Sequence, residues 1–445
     1  MDETIAELIT GSTAVEIADS VRAAHERGHL RDGAALPSVR ALADRLGINR
    51  NTVIAAYRQL TRAGLVETRG RGGTRIADLA PVAQEGFAAG SVLHDVGTGN
   101  PDPAWIPDPA AALHAVAGRA VLYGEPVIDA GLDAWSRPWM AADLAPADFR
   151  LTVTSGAVDA VERLLAQALT RDDAVALEDP CWLAGIQTVR LGGYRAVPVP
   201  VDAEGMSARG LQAALDQGVR AIVATPRAQN PTGAALTAER AAALRAVLAD
   251  HPYVLVIEDD HYSLLSQRPF HSIVGPEHRR FALVRSVSKF LGPDMCLAVT
   301  ASDPETADRL ALRLSPGTTW VSHLLQRLAH AQLDDPAVLA RIRGAGAHYA
   351  ERNAAFAARL AAHGLPAVAG DGLNLWVELP VETRVVREQL MRRGWLARTG
   401  DEFMLRGAGS PHLRLTVHDL DDEAAARLAA DVVAATVAAD GMIDR

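Results

Sequence analysis

The sequence predicts a multidomain protein: a small N-terminal unit of three helices and a β-hairpin, then a large α/β domain built on a mostly parallel sheet. Three observations predict it. The 445 residues exceed one ordinary domain and suffice for two or three buried cores. Eight arginines and two acidic residues fall between Ala34 and Ala77, a net of +6 on a chain whose formal charge is −10. In the larger part of the chain, apolar runs such as AIVAT and VLVIED alternate with Ala/Leu/Arg stretches such as TAERAAALRAVLA, as strands and helices do around a parallel sheet.

The N-terminal unit is read from Thr13 to Ala77. Ile17, Ala18 and Val21 mark one helix face, and Val39, Leu42 and Leu46 a second. Gly47 breaks that pattern. Asn49 is the N-cap of a third helix with Val53, Tyr57 and Leu60 on one side. At 100° per residue, Asn51, Ala55, Arg58 and Arg62 fall on the opposite side, free to meet a partner. Leu65 to Thr68 and Thr74 to Ala77 then form two short strands around the Gly-rich turn RGRGG. A basic block on an otherwise acidic chain suits a polyanion such as DNA.

The segment LPSVRALADRLGINRNTVIAAYRQLTRAGLVETRGRGGTRIA, with the preceding IADSVRAAHERGHL, resembles the winged helix-turn-helix DNA-binding domain of the GntR family. The resemblance implies that the third helix enters the major groove and the wing approaches the minor groove. By position it assigns DNA contacts to Arg40, Arg50, Asn51 and Thr52, with Arg71 and Gly72 at the wing tip. Residues 1–77 are thus expected to form the DNA-binding domain, and residues 78–92, rich in Ala, Gly and Pro, a linker.

Over the whole chain one compositional fact stands out: 43 of the 44 basic residues are arginine, and the single lysine, Lys289, falls in the remainder, residues 93–445. A guanidinium replaces lysine wherever only charge is needed, but it cannot serve as the neutral amine that condenses with an aldehyde. Other polar groups follow β-like runs. The turn Ser155-Gly156-Ala157 opens a helix whose backbone N–H groups suit a phosphate. Trp182 offers a flat face for an aromatic ring. Asn230, in the Asn-Pro-Thr-Gly turn, and Tyr262 suit a phenolic oxygen, while Asp259 at the end of VLVIED suits a protonated ring nitrogen. Ser286 and Ser288 flank Lys289 with hydroxyls for a phosphate. Each group alone has an ordinary reading as core, cap or turn. Together they meet the needs of pyridoxal 5′-phosphate (PLP).

These motifs, in this order, resemble the fold-type-I aminotransferases of the class I/II group, and the whole chain resembles the MocR-type regulators. The resemblance implies a smaller C-terminal α+β subdomain from about residue 330 to 445. It implies that Lys289 forms the Schiff base with PLP, Asp259 pairs with the pyridine nitrogen, Asn230 and Tyr262 hold the phenolic oxygen, and Trp182 stacks. It also matches Tyr123 to the tyrosine that reaches a neighbouring subunit's phosphate, and Arg414 and Gly99 to the groups around a substrate carboxylate. A homodimer follows from both halves.

The departures are equally specific. Cys296 and Leu297 stand where an arginine usually binds the phosphate, so that contact is either weaker or supplied by Arg285 or Arg227. Arg227 stands where small residues or histidine are common, Val158 replaces a glutamine, and GEPVIDAG lacks a usual glycine.

Three functions compete at this level: a regulator whose DNA binding responds to PLP or to its adduct with an amine or amino acid, a working aminotransferase with an accessory DNA-binding domain, and a dimerisation module with a degraded site. The first is favoured, because a DNA-reading head has no evident use in metabolic catalysis. Neither PLP itself nor an amino compound is preferred as the effector. With Cys181 and Cys296 its only cysteines and no Cys/His cluster, the chain is expected to hold no disulfide and no metal. No run approaches the roughly 18 consecutive apolar residues of a membrane span, and MDETIAELIT lacks the order of a signal peptide. A cytoplasmic protein is expected.

Overall fold

The computed structural model describes residues 3–68, 73–76, 86, 90–116, 118, 120–146, 148–314, 320–405 and 409–443. The chain clusters into two compact units, residues 1–83 and 84–445.

In the first unit, a short helix α1 (Glu3–Glu7) precedes α2 (Ala14–Glu26), α3 (Val39–Leu46) and α4 (Arg50–Arg62). The first of these carries no strong periodicity and is not evident from sequence. Each later start has a side-chain cap. Thr13 and Glu16 form a reciprocal capping box on α2, Ser38 accepts the Ala41 N–H, and Asn49 accepts the Asn51 N–H at 2.8 Å. Gly47 ends α3 in the left-handed conformation, φ 66°, which tightens the turn into α4. Ile17, Val21, Leu42, Val53, Tyr57 and Leu60 form one core, and the buried Tyr57 hydroxyl donates to Pro37 O at 2.8 Å. The antiparallel strands β1 (Val66–Thr68) and β2 (Thr74–Ile76) close it, Val66 opposite Ile76.

The second unit is built on an eight-stranded sheet. Its strands are β3 (Arg150–Thr154), β4 (Ala174–Asp179), β5 (Arg195–Asp202), β6 (Gly205–Met206), β7 (Val219–Ala224), β8 (Leu255–Asp259), β9 (Phe281–Ser286) and β10 (Ala298–Ser302). The spatial order is β3-β10-β9-β8-β7-β4-β5-β6. From β9 to β5 all neighbours are parallel, while β10 runs against both β9 and β3, and β6 against β5. Successive residues feed opposite faces: Val256, Phe281 and Leu283 enter one core, and Leu255, Ile257, Ala282 and Val284 another. Both faces are therefore covered, as near-continuous apolar strands require.

Helices α5 (Ala157–Ala168), α6 (Leu183–Gly192) and α7 (Ser288–Leu291) begin just beyond β3, β4 and β9. Helix α8 (His323–Leu333) leads into α9 (Pro336–Ala362), about 40 Å long. Helix α9 joins two cores, Ile342 and Tyr349 lying in that of the large sheet and Phe356 and Leu360 in that of a smaller layer. The smaller layer holds a three-stranded antiparallel sheet of β11 (Asn374–Glu378), β12 (Arg398–Thr399) and β13 (His412–Thr416), with β13 central, packed by α10 (Thr383–Arg392) and α11 (Asp422–Ile443). Residues His94–Asp95 pair in parallel with Trp395–Leu396, and Val96 enters the same core, so a segment from the start of this unit is built into its C-terminal layer. No described helix is long and apolar enough to cross a membrane.

The two layers meet at glycines. Gly233, φ 71°, accepts the Asp371 N–H at 2.8 Å, and a Cβ there would lie 2.8 Å from Asp371 O and 3.0 Å from Gly370 Cα. Both obstacles are backbone. Gly233→Ala is expected to cost at least about 2 kcal/mol, left-handed strain and overpacking together, measured as a lower melting temperature of the full chain.

Candidate functional site

Five of the predicted groups leave the same edge of the large sheet. Ser155 follows β3, Trp182 follows β4, Asn230 follows β7, Asp259 ends β8, and Ser286 to Lys289 end β9 and open α7. The register fixes their level: Ala298 pairs with both Thr154 and Ser286, so Ser155–Ala157, Val287–Lys289 and Cys296–Leu297 all emerge at one corner. Ligands of open parallel sheets gather at such carboxyl ends.

Asp259 is 2% exposed, and its Oδ1 is buried without a hydrogen-bond partner. Burial pushes its carboxyl up to about 7, with the charge of Asp260 adding to the shift and Lys289 opposing it. An orphaned carboxylate in a dry setting is costly unless a cationic partner arrives. A protonated pyridine nitrogen is such a partner. Lys289 Nζ donates to Gly99 O at 2.8 Å. Tyr262 is buried beside it, and Lys289, Asn230 and Tyr262 line one small cavity together with His261, Asp371 and Asn374. Trp182 is half-buried at the start of α6. A Cβ on Gly185 would meet its ring at 2.5 Å, so the indole is seated over a glycine. Helix α5 begins at Gly156, φ 92°, without a side-chain cap, which leaves room for a phosphate at its N-terminus; one amide of the turn, Ser155 N–H, is already given to Asp159 at 3.0 Å. Ser286 and Ser288 hydroxyls lie 3.2 Å apart. The residues present fit PLP: Lys289 would hold its aldehyde carbon, Asp259 its ring nitrogen, and the serine-rich corner its phosphate.

The two arginines that could stand in for the one missing at Cys296 are both ion-paired. Cys296 is exposed, its Sγ directed to Pro293 O at 3.4 Å. Arg285 is wholly buried and pairs with Asp260 at 2.8 Å and with Asp143, stacked on Trp139 and Phe270. Arg227 grips the same Asp260 with two 2.8 Å bonds. Both guanidiniums are committed to Asp260. Burial works against the charge of Asp260, yet the hydrogen bonds and charges of the two arginines hold its carboxyl below the ordinary range.

Arg414, wholly buried on β13, lies 4.7 Å over the Phe403 ring and donates to Asn230 Oδ1 at 3.0 Å and Gly97 O at 2.6 Å. Gly99, φ 65°, donates its N–H to Thr416. Tyr123 stands apart from this cavity, 87% exposed, against Trp320. Sequence reasoning missed Gln229, whose amide donates to Glu178 at 3.2 Å and Pro180 O at 2.8 Å and accepts from Thr232 at 2.6 Å. It ties the Trp182 loop to the Asn230 turn. It also missed Asp260, although the acidic doublet in VLVIEDD was a visible signal.

In the N-terminal unit, Arg50, Asn51, Ala55 and Arg58 are exposed along α4, Thr52 is half-exposed, and Arg40 is exposed with Asp44 3.7 Å away. Arg71 and Gly72 lie outside the described residues.

Residues 95–432 match the family Aminotransferase class I and II, and residues 13–76 match Bacterial regulatory proteins, gntR family. The chain is 44% identical over 426 residues to the vitamin B6 salvage pathway transcriptional repressor PtsJ of Salmonella typhimurium, covering 96% of this chain and 99% of that protein. It is 26% identical to the probable rhizopine catabolism regulatory protein MocR of Rhizobium meliloti, over 78% of this chain and 77% of that one. The fold resembles that of LysN, the α-aminoadipate aminotransferase of Thermus thermophilus, with a TM-score of 0.70 at 22% identity, covering 79% of this chain and 94% of that one. The chain therefore belongs to the aminotransferase class I and II family and, with its GntR-type helix-turn-helix, to the MocR-type transcriptional regulators.

Proposed function

We propose that this protein is a PLP-dependent transcriptional regulator: residues 1–77 bind operator DNA, residues 78–92 link, and residues 93–445 bind PLP at Lys289, with ligand occupancy setting operator affinity. The observation that carries the reading is the buried, partnerless Asp259 oxygen within electrostatic reach of the chain's only lysine, in a chain that also carries a DNA-binding head. The relative named for vitamin B6 salvage covers nearly the whole chain, which favours PLP itself as the signal. Arg414, held beside Asn230, keeps the guanidinium that an amino acid carboxylate needs, and supports an amino acid adduct as the second effector and a transamination half-reaction as the second activity.

When bound, PLP supplies an aldehyde and an electron-withdrawing ring. The protein's own part is to keep Lys289 near that aldehyde, to place Asp259 where the ring nitrogen would pair with its carboxylate, and to exclude water. A homodimer is proposed from the exposed apolar side chains Leu122, Tyr123, Val127 and Leu324, which fall on neighbouring segments joined by the His323 and Gln326 bonds to Pro126 and Val127. Two copies would present two α4 helices to two half-sites. Such a protein acts in the cytoplasm, where its operator is.

Titrating the protein with PLP is expected to produce a long-wavelength absorption band, and borohydride reduction to fix the mass of the adduct on Lys289. No band and no adduct would remove PLP from the reading. Operator binding by Arg50→Ala is expected to weaken about tenfold while that band is unchanged. Equal operator binding by variant and parent would take Arg50 off the DNA face.

Asp259 also makes a pH prediction. Its folded carboxyl titrates near 7, above the unfolded range, so the fold prefers the neutral form. That contribution is full below the unfolded value and is lost as pH rises through about 7. Ligand-free Asp259→Asn is therefore expected to melt at least about 2 °C above the parent at pH 8 and no higher near pH 4. With PLP the order reverses, because only the carboxylate pairs with a protonated ring nitrogen. Calorimetry at the two pH values checks both signs.

A further inference from the structure

The segment from Val96 to Asn100 is a buried strap. Its backbone is bonded mostly to the smaller layer: Val96 O accepts from Thr416 N at 2.6 Å, Gly97 O from Arg398 at 2.9 Å and from Arg414, Gly99 N–H donates to Thr416 Oγ1 at 3.0 Å, and Asn100 O accepts from His418 at 3.0 Å. Two bonds differ in origin. Gly99 O accepts from Lys289 Nζ at 2.8 Å, which comes from the large sheet. Thr98 O accepts from Gly86 N–H at 2.8 Å, in the stretch of chain that continues to the N-terminal unit.

We propose that the Gly99 carbonyl is the contact through which Lys289 reports its ligand to the DNA-binding unit. The proposal rests on the reading of Lys289 as the aldehyde-binding amine. In the ligand-free protein the amine donates to Gly99 O. Condensation with an aldehyde forms a carbon–nitrogen double bond at Nζ, and the carbonyl oxygen leaves as water with two protons taken from the amine; nothing is oxidised or reduced. At most one proton then remains on the nitrogen, and the double bond dictates its direction, so the bond to Gly99 is given up. A buried carbonyl stripped of its donor is unfavourable, and the strap relieves it by shifting. Adjacent to Gly99, the Thr98–Gly86 bond is the next link toward the N-terminal unit, and it loosens with the strap. Ligand binding thereby acts on two arrangements of one segment, as a population shift requires.

The test uses the full-length protein, an operator fragment, and hydrogen exchange of peptides covering residues 86–100. In the parent, PLP is expected to change the operator Kd by at least about fivefold and to speed exchange at Gly86 and Gly99. Lys289→Met without any ligand is expected to show the operator Kd and exchange of the PLP-loaded parent. Thr416→Val, which takes the acceptor from Gly99 N–H but spares Lys289, is expected to shift both readouts the same way while the PLP absorption band is retained, and it decides the matter if Lys289→Met is unstable. A PLP-responsive parent beside a Lys289→Met or Thr416→Val variant that behaves as ligand-free parent would overturn the strap and leave the regulatory reading standing. A parent whose operator Kd ignores PLP, despite a reduced adduct on Lys289, would remove the regulatory reading and the strap with it.

Discussion

The second unit depends on one unfavourable act: four carboxyl groups, Glu178 at the end of β4 and Glu258, Asp259 and Asp260 at the end of β8, are taken out of water on either side of β7. Three receive compensation. Glu178 accepts from Thr225 N–H and Gln229, Glu258 from Ser272 and Ile273 N–H, and burial still pushes each up to about 7. Asp260 takes two arginines. Asp259, between Glu258 and Asp260 in sequence, has an oxygen with none. Asp260 meets Arg227 and Arg285, while Asp259 lies within electrostatic reach of Lys289. Of these four acids only Asp259 keeps an unpartnered oxygen, and a cationic ligand group that paired with it would restore the stability forgone there.

The loops that carry the remaining groups are held by bonds between them rather than by their own propensities. Gln229, 1% exposed, uses its amide on three partners and joins the end of β4 to the Asn-Pro-Thr-Gly turn. Arg227 joins the same turn to Asp260, and also donates to Arg268 O at 3.2 Å. The loops of Trp182 and Asn230 are thus tied to each other and to the end of β8. The price of such a network is that it admits little adjustment: a longer or shorter side chain at Gln229 leaves Glu178 buried with a missing donor.

How much of this was legible in the sequence follows from the range of each interaction. Local chemistry was readable: the N-cap at Asn49, the stop at Gly47, the buried stripe of Val53, Tyr57 and Leu60, and the strand ends that carry Ser155, Asn230, Asp259 and Lys289. Lys289 was legible for a different reason, since a composition that excludes lysine elsewhere isolates the one amine. The division of labour within the Asp259-Asp260 doublet was not, because two adjacent acids differ only by the face of the sheet and by arginines 33 and 25 residues away. The fates of Arg227 and Arg285 depend on that same burial. The strap from Val96 to Asn100 was beyond reach, as its partners in the smaller layer lie some 300 residues later and no periodicity foretells the two-residue parallel pairing of His94–Asp95 that precedes it.

The solitary lysine has a consequence for the protein's behaviour as a sensor. Cells present reactive aldehydes to every exposed ammonium group, and ordinary surfaces take up many of them at random. Here the side chains that carry surface charge are guanidiniums, and the single side-chain amine is placed inside a shaped cavity. Background adducts on side-chain amines are absent by construction. A signal read at Lys289, as proposed, would be a count of zero or one per chain, and a pair of chains would register no more than three states.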